Sequence, residues 1–349
     1  MDQRRIIISR LEKTRRLSAQ EYKSLLQDDD LRSCSLLQGA ARNKAVSIFG
    51  QKIFIRGLIE ISNCCRNNCY YCGIRAGNRS VSRYRLTKDE ILGCCTLGYG
   101  LGLRTFVLQG GEDPAQDDAW VEDVVAAIRR TFPDCAITLS LGEKSDESYR
   151  RFRRAGADRY LLRHETFDKT HYASLHPAGM SRDSRLECLR SLKRNGYQTG
   201  DGIMVGSPFQ TIDHLVEDLL FIQEFAPEMI GIGPFIHHPD TPFADYPDGS
   251  AALTYKLISI FRLMHPRSLI PVTTALSTLD PEAHRKGVLC GANVVMPNLS
   301  PACRRADYSL YEGKAATGSE SAEGLKKLEN ELDAIGYGIA VARGDYNYC

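Results

Sequence analysis

The chain has 349 residues, with 45 Lys plus Arg against 43 Asp plus Glu and a formal net charge of +2. A balance that close gives no overall field for nucleic acid or an anionic membrane, while 43% hydrophobic and 25% charged residues are enough to build a sizeable globular core. The length exceeds a usual single domain but not one (β/α) barrel with extensions.

The N-terminal stretch MDQRRIIISRLEKTRRLSAQ has only three consecutive apolar residues, too few for a signal-peptide core or a membrane span, which predicts a cytoplasmic protein. Residues 1–50 read as a helical extension. Short β-rich runs then alternate with amphipathic stretches: IFIRGLIEIS (53–62), TFVLQGG (105–111), AITLSLG (136–142), RYLLRHE (159–165), YQTGDGIMVG (197–206), MIGIGPFI (229–236), LIPVTT (269–274) and ANVVMPN (292–298). Helix starts are marked between them, by the capping box TKDE at 87–90 and by DPE at 280–282 as N-cap followed by an N1 proline. The basic run RRFRRAG (150–156) has the spacing of a solvated helix face. Eight strand–helix alternations predict a parallel (β/α)8 TIM barrel over 51–300. An open doubly wound sheet shares that period, and the count of eight favours the barrel. Residues 301–349, with the helical pattern SAEGLKKLENELDAIG, read as a C-terminal tail packed on it.

Twelve cysteines in a reducing compartment argue for metal binding or core packing rather than disulfides. Cys94, Cys95, Cys135, Cys188 and Cys290 sit among apolar residues as inert core thiols. ISNCCRNNCYYCG (61–73) is different. Its spacing Cys65-x3-Cys69-x2-Cys72 falls just past the first strand, at the end of a barrel where such enzymes keep their chemistry. Three thiolates can hold three irons of a 4Fe-4S cluster and leave the fourth open to another ligand. A structural zinc would want a fourth Cys or His at matching spacing. The loop has no histidine, and Cys64 is too close to Cys65 to share a tetrahedral ion easily. Plain buried thiols fit poorly with Arg66, Asn67 and Asn68 between them.

This C-x3-C-x2-C pattern, with Tyr71 just before its last cysteine, resembles the radical S-adenosylmethionine (SAM) superfamily. The resemblance implies that SAM chelates the open iron and that one electron from the cluster cleaves its sulfonium to methionine and a 5′-deoxyadenosyl radical. QGGED (109–113) resembles the superfamily's glycine-rich segment, where bare backbone approaches the methionyl amine; a glycine pair after a strand is otherwise a tight turn. Longer matches, SNxCRxNCxYCG, LQGGEDP, TLSLGE, DRYLLRHET, GIGPFIHHPDTP, IPVTTA and GANVVMPNLSP, resemble the HydE-type maturases of [FeFe]-hydrogenase more closely than biotin synthase or methylornithine synthase.

That family implies one 4Fe-4S cluster on Cys65, Cys69 and Cys72, with SAM held by Tyr71, Gly110, Gly111, Glu112, Ser140, Glu165 and Arg185. It implies a substrate cavity below, carrying Thr138, Arg163, Thr273, Thr274, Met296, Tyr308 and Tyr311. The implied substrate is a small organometallic one, a cysteine-bound Fe(CO)2CN complex supplied by HydG. Radical attack on its sulfur begins the di-iron subcluster of the H-cluster later carried by HydF; the electron donor stays open.

Read from the residues alone, Arg163 and Glu165 share one side of a strand and either meet ligands in the lumen or pair with each other. Thr138 and Ser140 share a face by the same period of two. Thr273 and Thr274 are adjacent, so both point inward only if the strand end is distorted. Arg185 fits a surface position equally well, and Met296, Tyr308 and Tyr311 are also ordinary packing residues. His237 and His238 read as a polar loop rather than metal ligands. Some family members carry a second cysteine triplet after LYxGK; here LYEGK (310–314) is followed by no cysteine until Cys349, so no second cluster is expected there. Two other readings remain: a radical enzyme acting on an organic substrate, and a non-catalytic metal-binding assembly factor.

Overall fold

The computed structural model describes residues 3–315 and 318–346; Cys349 lies outside them. Three helices, Gln3–Thr14, Ala19–Leu26 and Leu31–Phe49, precede the first strand. A Ser18–Glu21 capping box starts the second and Asp30 caps the third. Their apolar faces, including Leu11, Tyr22 and Leu37, share a core with Leu257 and Phe261 of the helix Ala251–Met264.

The strands are β1 (Lys52–Ile55), β2 (Gly57–Ser62), β3 (Thr105–Gly110), β4 (Ala136–Ser140), β5 (Arg159–Leu161), β6 (Gln198–Val205), β7 (Met229–Pro234), β8 (Val294–Val295) and β9 (Gly338–Ala340). Six of them form one parallel sheet in the order β2-β3-β4-β5-β6-β7. Every residue of β2 and of β7 is buried, as a sheet covered on both faces requires. Single parallel bridges continue the line: Met229 to Leu269, Pro271 to Val294, and Asn298 back to Leu58.

The reading of the first strand changes in one respect. It breaks at Arg56, so that β1 pairs with β8 and β9 while β2 enters the main sheet. LIPVTT makes only isolated bridges, because Pro271 has no N–H to give to a ladder, and Thr274 already opens the helix Thr274–Leu279. RYLLRHE pairs continuously only over Arg159–Leu161. The helix expected from Asp280 starts at Ala283, with Asp280 instead accepting a hydrogen bond from the Glu282 N–H at 2.9 Å. The tail holds the helix Leu325–Asp333 and also β9, a three-residue strand too short to read from periodicity.

All C-terminal strand ends therefore lie on one side. On the other, Arg159 is fully buried and donates to the carbonyls of Arg343 (2.8 Å) and Gly344 (3.0 Å) and to Asp345 Oδ1 (2.7 Å), fastening the tail beneath the sheet. Among the described residues no helix is long and apolar enough to cross a membrane. Replacing Arg159→Met strands these acceptors and is expected to cost about 3 kcal/mol in urea unfolding. An unchanged midpoint would show that the tail is held by something else.

Candidate functional site

Residues 63–84 follow β2 and contain turns but neither helix nor strand, so side chains hold the loop in shape. Arg83 donates to the carbonyls of Asn63 (2.6 Å), Ile74 (2.8 Å), Arg75 (2.7 Å) and Asn78 (2.9 Å). Asn63 ties the loop outward, giving Nδ2 to the Ser82 and Asp307 carbonyls and accepting from the Tyr84 N–H at 2.8 Å. The β3 end is drawn close: a Cβ on Gly111 would sit 2.3 Å from the Cys64 carbonyl oxygen and 2.7 Å from Cys65 Cβ. Only glycine permits that approach. Arg66 pairs with Glu112 at 3.0 Å, and Glu112 accepts from the Glu143 N–H at 2.8 Å.

Cys65, Cys69 and Cys72 line one cavity of about 340 Å³ at the C-terminal strand ends. Burial pushes the Cys69 thiol up to about 12 and the Cys72 thiol higher still, and the neighbouring thiols add to the effect. Three such sulfurs become thiolates together only against a strongly cationic group, so the donor set fits an iron–sulfur cluster. Among the described residues no three His, Cys, Asp or Glu side chains gather where they could hold a single metal ion.

Tyr71, Gly110, Gly111, Glu112, Ser140, Glu165 and Arg185 line the same cavity, as do Arg163, Thr273, Thr274, Met296, Tyr308 and Tyr311. Thr138 does not. It is buried one alternation below Ser140, with no partner for its hydroxyl among the described residues. Both threonines of LIPVTT reach the cavity because the chain turns into a helix between them, with Thr273 as N-cap. Arg185 lies inside rather than on the surface, donating to Glu143 at 2.6 Å and to the Arg163 carbonyl at 2.9 Å.

Arg163 and Glu165 do pair, at 2.7 Å, yet Arg163 Nε is buried without a partner among the described residues. Glu165 has φ +66°, a left-handed conformation that costs a non-glycine residue ~1–3 kcal/mol. Behind it, the fully buried His164 ring lies between Asp201 (2.8 Å) and Asp218 (3.2 Å). Burial opposes charge on that ring, but the two carboxylates outweigh it and hold its pKa up at about 10.

Several of these groups had no readable signal. His176 donates from Nδ1 to the Tyr172 carbonyl (2.9 Å), which leaves Nε2 to accept the Tyr71 hydroxyl at 3.1 Å. Burial lowers this ring to about 3, so it stays neutral. Glu60 and Lys314 form a buried pair in the cavity wall. Arg83 and His176 meet their partners through folding, not spacing. His237 pairs with Asp248 (2.8 Å) and Glu312 (2.7 Å) in a surface loop.

Because the folded pKa of His164 lies above its unfolded value near 6.5, its contribution is complete below that pH and fades as pH rises toward 10. Wild-type protein should therefore lose more stability between pH 6.5 and 10 than His164→Gln in urea titrations. Parallel profiles would show that the ring carries no stabilising charge.

Residues 59–222 match the family model described as Radical SAM superfamily. The [FeFe] hydrogenase maturase subunit HydE of Thermotoga maritima is 48% identical over 265 residues, spanning 76% of this chain and 75% of the relative. A solved methylornithine synthase superposes with TM-score 0.82 at 26% identity, over 96% of this chain and 97% of its own. The [FeFe]-hydrogenase maturase HydG of Carboxydothermus hydrogenoformans shares the fold, with TM-score 0.81 at 21% identity over 97% and 80%. With 48% identity over three quarters of both chains and a radical SAM match over residues 59–222, the chain belongs to the HydE family of [FeFe]-hydrogenase maturases within the radical SAM superfamily.

Proposed function

We propose that this chain is a radical SAM enzyme of H-cluster assembly, acting on the sulfur of a cysteine-bound Fe(CO)2CN precursor in the cytoplasm. The observation that carries this is the convergence of the three-cysteine loop, the Gly110–Gly111 turn and the Glu165–Arg185 region at the mouth of one cavity, in a chain 48% identical to a HydE. Bound together, one 4Fe-4S cluster and SAM supply one-electron cleavage of a sulfonium carbon–sulfur bond.

The protein's own residues do the rest. Cys65, Cys69 and Cys72 hold the cluster. Gly110 and Gly111 expose backbone to the cofactor's amine, Arg185 faces its carboxylate, and Glu165 and Ser140 take its hydroxyl or ammonium donors. Tyr71, oriented by neutral His176, and Glu112 complete that wall. Deeper in, Arg163, Thr273 and Thr274 offer donors to an anionic complex, with Thr138 supporting them from behind, while Met296, Tyr308 and Tyr311 exclude water. The bridges through 269–271 and 294–298 support closure into a (β/α)8 barrel over 51–300, with 1–50 as helical extension and 301–349 as packed tail. HydG and HydF are the proposed partners upstream and downstream.

The test is anaerobic maturation of apo-hydrogenase from defined components, scoring hydrogen evolution and 5′-deoxyadenosine together. Cys69→Ser is expected to abolish both, and unchanged cleavage would sink the cluster assignment. Robust 5′-deoxyadenosine without hydrogenase activation would instead point to an organic substrate, as the likeness to methylornithine synthase allows. Independently, Gly111→Ala should lower reconstituted iron content several-fold, because its methyl group collides with Cys64 and Cys65; wild-type iron loading would show that the loop can give way.

A further inference from the structure

Two hollows meet at residues 308–314. The cavity already described lies on one side. On the other is a pocket of about 450 Å³ lined by Ala302, Arg305, Ala306, Ser309 and Gly313. Tyr308 and Lys314 line both, so the same two side chains form the partition between them.

That partition joins a core side chain to a buried ion pair, for Tyr308 is 1% exposed and packs in the main hydrophobic core. The Lys314 ammonium pairs with Glu60, which is 0% exposed and also accepts from Asn298 Nδ2 at 2.9 Å. The same ammonium lies 5.0 Å over the Tyr308 ring. The polar contacts of Tyr308 are long: its hydroxyl accepts from Gln109 Nε2 at 3.4 Å, and its N–H reaches the Arg305 carbonyl at 3.4 Å. The middle of the segment is pinned more firmly, by Gly73 N–H to the Leu310 carbonyl (2.8 Å) and Glu312 N–H to the His237 carbonyl (2.9 Å). Gly313, at φ +63°, sits beside Lys314, and the stretch has neither helix nor strand. Arg305 makes a fixed rim, held by Glu323 at 2.8 and 2.9 Å and by the Ser300 carbonyl.

A buried ammonium needs a counter-charge wherever it goes. Inside, Glu60 supplies it; an anion arriving in the outer pocket would supply it there. We propose that the outer pocket is the port by which a small anionic substrate reaches the cavity, and that the Lys314–Glu60 pair with Tyr308 is its gate. The inference rests on the proposed function in one respect: a cluster and SAM seated at the strand-end mouth leave the substrate in need of another way in.

The experiment uses the cluster-loaded full chain. Ala306→Trp fills the outer pocket and should lower kcat/KM for a synthetic cysteine-bound Fe(CO)2CN complex about ten-fold, leaving substrate-free cleavage of SAM at the wild-type rate. Glu60→Gln combined with Lys314→Met removes both charges at once, so that neither is left buried alone, and should raise amide hydrogen exchange at 308–314 about ten-fold. Unchanged kcat/KM in the first variant would overturn the port, and unchanged exchange in the second would overturn the gate. If the wild type cleaves SAM but never turns over the iron complex, the substrate reading falls, and the exchange measurement alone decides the gate.

Discussion

A loop without regular structure must present three sulfurs to one side, and every carbonyl it turns away from water has to be met. One guanidinium does most of this. Arg83 gathers four backbone oxygens spread over residues 63–78, and its fixed planar fork sets their mutual geometry. Lysine offers a point charge and could not hold the same arrangement. Gly111 then lets the neighbouring strand end close against the loop, and the cavity mouth takes its shape from that contact. The positions of Glu112, Arg66 and Glu143 all follow from it.

Much of the fold was legible because parallel strands buried on both faces read as apolar runs, and β2, β3, β4, β6 and β7 lie within the runs read from sequence. The seventh run, LIPVTT, contained its own exception, since Pro271 cannot donate to a ladder. The cysteines were legible because their chemistry is contiguous in sequence. Glu60 and Lys314 were not, because they stand far apart in the chain and meet only through the tail. Likewise His176 gains its role from a single acceptor nitrogen, left free because Nδ1 is occupied by the Tyr172 carbonyl. Spacing cannot report such a contact.

The segment 163–165 shows how strain and burial combine. Glu165 holds an unfavourable backbone angle, and its neighbour His164 is locked between two carboxylates with no exposed surface. Local propensity would relax this turn; the buried charge cluster prevents it. The consequence is that Arg163 and Glu165 both line the cavity, paired with each other at 2.7 Å and anchored by a bond from Arg163 to the Ile203 carbonyl at 2.9 Å.

The break of the first strand at Arg56 also matters beyond topology. Residues 52–55 lie between β8 and the tail strand β9, and the next residues run straight on to the cysteine loop. The tail strand and the cysteine loop are thus joined, through β1, by one buried strand, β2, that is itself hydrogen-bonded to β3.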